Sequence, residues 1–291
     1  MPRLTLFFVL CIPALADWLE KHQRGERLLQ EGKAGQALLE LKAALAEADP
    51  AGKGAILDSL GRAEYQAGNY REAKKRFEIS AMVFEGEPLK RAVVLVNAGH
   101  AYQALGELAH AELVFREALD AMPREAMIWQ NLGQVLFLQH HYRDAEAALR
   151  MALSLAEPQL LAPIWNDLAM LHEAQRQVPK AAEMLRNAAA AAAPGQARAR
   201  IYANLGVLLW KLKAKNAAVA QIRLALSEME SAVGDQHPDV AKILEDYRDV
   251  LQKMGRKAEA GALAERAASI RSLFAGQTND HRASVDWRDL K

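Results

Sequence analysis

Cysteine is almost missing from this chain of 291 residues, which has one, Cys11. A single thiol can close no internal disulfide and can build no thiolate metal site by itself. Aromatic residues make up only 6%, and no basic block interleaved with aromatics, as single-stranded nucleic-acid binders use, appears. Neither sign of charge dominates, with 37 Lys and Arg against 36 Asp and Glu. The electrostatic footprint of a nucleic-acid partner is therefore lacking. Beyond residue 16 there is no apolar run long enough to cross a bilayer. No G-x-S-x-G elbow, phosphate-binding glycine loop or dinucleotide fingerprint occurs. His172-Glu173 opens like a zinc-protease motif, but Arg176 stands where the second histidine must be. No catalytic, metal or cofactor site is expected.

What the chain does have is apolar and helix-forming. Hydrophobic residues are 51% and charged residues 25%, the balance of a folded protein. Alanine, leucine, glutamate, arginine and lysine dominate, and these lose least freedom in a helix. Residues 1–16 stand apart: Arg3 is their only charge, Leu4 to Leu15 is apolar, and Ala14-Leu15-Ala16 is a small-x-small pattern before Asp17. That is the layout of a secretory signal peptide. Cys11 follows Leu10, not the small residue a lipoprotein anchor needs. The sequence thus predicts export to a secreted or periplasmic location, with no membrane insertion after cleavage. The mature chain would start at Asp17, lack cysteine, and carry equal numbers of acidic and basic side chains.

From residue 18 a pattern recurs, with aligned starts at 18, 54, 92, 126, 162, 199 and 241. The third copy reads Leu95, Ala98, Gly99, Tyr102, Ala111, Phe115, Ala118 and Pro123; the fourth reads Trp129, Leu132, Gly133, Leu136, Ala145, Leu149 and Ala152. Apolar residues at offsets of three and four make one helical stripe. A Gly or Ala within that stripe lets a paired helix approach to the short end of packing distances, about 8–10 Å. One such pair cannot bury both faces, so the copies must stack.

These positions resemble the tetratricopeptide signature, W-x2-L-G-x2-Y followed by A-x3-F and a late proline. The resemblance covers residues 18–274. It implies an all-α fold, a right-handed α-solenoid of about seven helix-turn-helix repeats, with residues 275–291 as a C-terminal tail. The copies at 18–51 and 241–274 depart from the pattern, with Lys21, Arg24 and Arg248 at positions that should be apolar or small. Polar outer faces suit terminal repeats. The stretch from Gly234 to Tyr247 is similar to the longer repeats of the kinesin light chain type, and Asp239 is expected to cap the helix after it.

From the second copy on, the sixth residue is short and hydrogen-bonding: Ser59, Asn97, Asn131, Asp167, Asn204 and Asp246. In the family that this chain resembles, first helices line a concave groove, and asparagines here are similar to a ladder that binds peptide backbone. An Asn amide can donate and accept at once. Tyr65, His100, Phe137, Met170 and Trp210 are the neighbouring candidates for side-chain pockets. The expected function is a non-enzymatic scaffold or adaptor that holds an extended segment of a partner protein or peptide. The alternatives are a structural or oligomeric part of an envelope or secretion assembly, using convex or end surfaces, and an appendage to an enzyme complex.

Overall fold

The structure, a computed structural model, describes residues 12–274. The expected tail at 275–291, with Val285 and Trp287, and residues 1–11 of the expected leader lie outside the described residues. Among the described residues there are fourteen helices and no strand. They form seven helix-turn-helix pairs, one for each aligned copy. The pairs are α1 (Ile12–Gln30) with α2 (Ala34–Glu47), α3 (Pro50–Gln66) with α4 (Tyr70–Val83), and α5 (Pro88–Ala104) with α6 (Leu108–Ala121). Next come α7 (Ala126–Leu138) with α8 (Tyr142–Leu155) and α9 (Pro158–Ala174) with α10 (Val178–Ala191). Last are α11 (Gln196–Lys211) with α12 (Lys215–Val233) and α13 (Pro238–Lys253) with α14 (Lys257–Leu273). The chain divides into two compact units, Met1–Ala148 and Leu149–Lys291.

One turn is used seven times. The fifteenth residue of every copy has positive φ: Gly32, Gly68, Gly106 and Gly255, and also His140, Arg176 and Lys213. Just after it, a backbone N–H reaches back five residues in the chain to close the first helix, as Asn69 does to the Glu64 carbonyl at 2.8 Å and Ala214 to Leu209 at 2.9 Å. This is the left-handed C-terminal cap that glycine adopts without strain. At His140, Arg176 and Lys213 a side chain is forced into it.

First and second helices meet at the small residue of the signature. A Cβ added to Gly61 would lie 2.5 Å from the Phe77 ring, and one added to Gly99 would lie 2.5 Å from Phe115. Gly206 stands in the same relation to Ile222, and Gly25 to Leu41. The second helices supply small residues in return: Ala37, Ala73, Ala111, Ala181 and Ala218 are fully buried. The sequence pattern and the packing thus coincide.

The departures at the ends are explained by pairing. Lys21 bonds to Asp17 at 3.0 Å and to Glu47 at 2.6 Å, and Arg24 bonds to Glu20 and Glu40, each at 3.1 Å. The long last step comes from α12, which has 19 residues where α2, α4, α6, α8 and α10 have 14. The cap of α13 is not Asp239. His237 takes that place, its Nδ1 accepting from the Asp239 N–H at 3.1 Å, because Pro238 occupies the first helical position. Asp239 instead receives Arg200 Nη2 at 2.9 Å.

Candidate interaction face

Frame position six was expected to turn its side chains to a ligand. In the first unit these side chains tie each first helix to the one before it. Ser59, almost fully buried, donates to the Ala55 carbonyl at 3.0 Å, and His22 Nε2 of α1 lies 2.8 Å from its hydroxyl. Asn97 Nδ2 of α5 donates to Asp58 Oδ1 of α3 at 2.8 Å. Asn131 Nδ2 of α7 sits 3.3 Å from His100 Nε2 of α5. The ladder exists as rungs between successive first helices, and Ser59 and Asn131 are buried in it rather than spread on the surface.

A charged cluster closes this network at α1 and α3. Arg62 Nη2 donates to the Glu26 carboxylate, and Arg62 Nε lies 3.3 Å from Asp58 Oδ2. Burial raises the Asp58 carboxyl above its ordinary value, with the Asn97 and Arg62 contacts opposing that rise. Burial also lowers the imidazoles of His22 and His100, so both are biased toward the neutral form.

In the second unit Asp167, Asn204 and Asp246 are half-buried and already engaged in polar contacts. A cavity of about 20 Å³ opens between α9 and α11, lined by Asn166, Met170, Glu173, Asn204 and Leu208. It brings together two of the expected residues, Met170 and Asn204, in the room of about one water.

The aromatic candidates are placed differently from expectation. Tyr65 packs against Tyr70 with ring centres 5.1 Å apart, and Phe137 against Tyr142 at 5.9 Å. Both pairs cover the turn of their own repeat. His100 lies edge-on to Phe115. Trp210 packs against two core clusters and carries Lys215 over its ring at 5.9 Å. Their apolar surface is largely spent within the fold.

What sequence reading missed is the second residue of each copy. In the first unit it is Leu19, Ala55, Val93 and Met127, all exposed, with Leu19 at 43%, Val93 at 51% and Met127 at 52%. Each precedes the rung positions by three and four residues, so it shares their side of the helix. The signal was available, since four apolar residues recur at one frame position that the core does not use. In the second unit that position becomes Pro163, Arg200 and Lys242. Among the described residues no group of three His, Cys, Asp or Glu could hold a metal ion. Nor is any helix among them long and apolar enough to cross a membrane.

Two stretches, residues 92–124 and 198–239, match the tetratricopeptide repeat. No curated protein sequence matches the chain. Solved structures of similar fold include a tetratricopeptide repeat protein from Parabacteroides merdae, 18% identical with a TM-score of 0.62 over 89% of this chain and 98% of that one. The apo form of RapI is 14% identical with a TM-score of 0.64, over 89% and 99%. In the Cut9–Hcn1 tetramer of APC/C the match is 17% identical with a TM-score of 0.61, over 85% of this chain but only 45% of that one. The chain thus spans less than half the length of that relative, and at these identities the likeness is one of fold.

Proposed function

Because this chain is a tetratricopeptide repeat protein, whose repeats generally make non-catalytic protein-interaction scaffolds, we propose that it holds an extended segment of a partner polypeptide against its first helices. The observation that carries this reading is the exposed stripe Leu19, Ala55, Val93 and Met127, set beside the polar rungs. Apolar groups left in water beside oriented amides gain by being covered by a chain that offers both kinds of contact. We propose further that the protein acts outside the cytoplasm after loss of residues 1–16. Exported protein should begin at Asp17, and exported material that retains Met1 would remove that part.

A second reading, an assembly component using its second helices, is favoured by Leu39, Met82 and Leu113, which are 72%, 74% and 62% exposed. One comparison separates the two. Proteins captured by the wild type are measured again with a Val93→Arg/Met127→Arg variant and with a Met82→Arg/Leu113→Arg variant. Loss of capture in the first variant alone supports the first-helix face. Loss in the second alone would transfer the function to the other face.

A further inference from the structure

We propose that the first-helix face of the Met1–Ala148 unit selects an extended peptide with a cationic side chain at one end, followed by apolar side chains at every third residue. The inference rests on the first-helix face being the binding face and adds the chemistry of the occupant.

The spacing comes from the stripe. Leu19, Ala55, Val93 and Met127 belong to four successive first helices, α1, α3, α5 and α7. Packed helices stand about 10 Å apart. A polyproline-type chain rises about 3.1 Å per residue with three residues per turn, so every third side chain faces one way about 9 Å from the last. Such a peptide sets one apolar side chain on each rung of the stripe. A chain alternating every second residue would fall out of step after one helix.

The charge comes from the cluster beside the α1–α3 end. Two carboxylates, Glu26 and Asp58, share a single guanidinium, Arg62. His22 lies 3.8 Å from Glu26 but is committed to Ser59. The Glu26 and Asp58 side chains remain 28% and 15% exposed, within reach of a bound ligand. The matching positions on α5 and α7 are Val96, Asn97, His100, Gln130, Asn131 and Gln134, none of them an acid or a permanent cation. One end of the face therefore carries an excess negative charge and the other is neutral and apolar. Burial already raises Asp58, so a second cation beside it would relieve a charge held at a cost. A lysine or arginine at the α1–α3 end of the peptide supplies that cation.

The probes are synthetic capped peptides of about twelve residues in a Ser/Gln host. They carry leucine at every third position with lysine at either end, and a second series has glutamate for lysine. A third series has the same leucines at every second position. Binding to the full chain is followed by fluorescence polarisation. The every-third series with lysine at one of its two ends is expected to bind at least about tenfold more tightly than the other two series. Glu26→Gln/Asp58→Asn should abolish the preference for lysine over glutamate, and Val93→Ser/Met127→Ser should abolish the preference for spacing. Equal binding by all series, or no binding, overturns the proposal. Sedimentation of the chain alone is run alongside. Self-association that the stripe variants abolish would make a second copy the occupant and also overturn it. If captured partners still require Val93 and Met127 while the peptides fail, the binding face stands and only its chemistry is wrong.

Discussion

The Asn97 amide of α5 donates to the Asp58 carboxylate of α3 at 2.8 Å, a bond between first helices of neighbouring repeats. It places a functional candidate inside the stacking interface, so any ligand role is layered on a structural one. Asn97→Ala leaves the half-buried carboxylate with Arg62 alone, and a hydrogen bond to a charged group contributes about 1.5–3 kcal/mol. Urea unfolding should show a loss of that order. Asn97→Asp should cost more, since it sets a second carboxylate against Asp58. An Asn97→Ala protein as stable as wild type would mean the rung holds nothing.

The helix crossings give a prediction with an internal control. Gly61→Ala puts a methyl 2.5 Å from the Phe77 ring, and overpacking of this kind costs about 1–3 kcal/mol. Phe77→Leu should cost stability alone yet recover part of the loss in combination, because the two residues touch. Strict additivity in the double variant would show that they do not share the space.

How much of this was written in the sequence depends on the distance over which the signal acts. The small residues of the signature, Gly99 among them, announced the crossings because the repeat forces a small residue wherever two helices approach. The left-handed position was half visible, since four of its seven occupants are glycine while His140, Arg176 and Lys213 disguise the rest. The rung partners were not visible. Asp58 and Asn97, or Glu26 and Arg62, lie far apart in the chain, and only stacking brings them together. Nor did residue type reveal that Tyr65 and Phe137 would be spent on Tyr70 and Tyr142.

Those disguised positions offer a stabilising change. Lys213 holds φ at 61° where glycine carries no steric penalty. Lys213→Gly should raise stability by about 0.5–1 kcal/mol, the relief of strain exceeding glycine's entropic cost. Arg176→Gly should act alike. Thermal unfolding of each is the check, and destabilisation by both would contradict the shared turn.

The two depressed histidines set the acid behaviour. His22 and His100 fall below the ordinary value of 6.5 through burial, aided at His22 by the Arg62 charge and opposed there by Glu26. A lowered folded-state value means that their contribution to stability is complete above 6.5 and is lost as the pH falls through the folded value. Asp58, raised from 3.8, acts in the opposite sense: its contribution is complete below 3.8 and is lost as the pH rises through its folded value. Melting temperature should therefore fall as the pH is lowered from about 7.5 to about 5. His22→Gln/His100→Gln should flatten that fall, and an unchanged slope would assign it to other groups.

The central claim is that a partner covers the first-helix face, and methionine reports on both sides of the fold. Met127 stands on the first-helix stripe and Met82, in α4, on the second-helix side, exposed at 52% and 74%. With methionine methyl groups isotopically labelled, a captured partner is titrated in and the two resonances are followed by NMR. The Met127 signal is expected to shift or broaden in proportion to the bound fraction while Met82 stays in place. Movement of Met82 with Met127 unchanged would contradict the account.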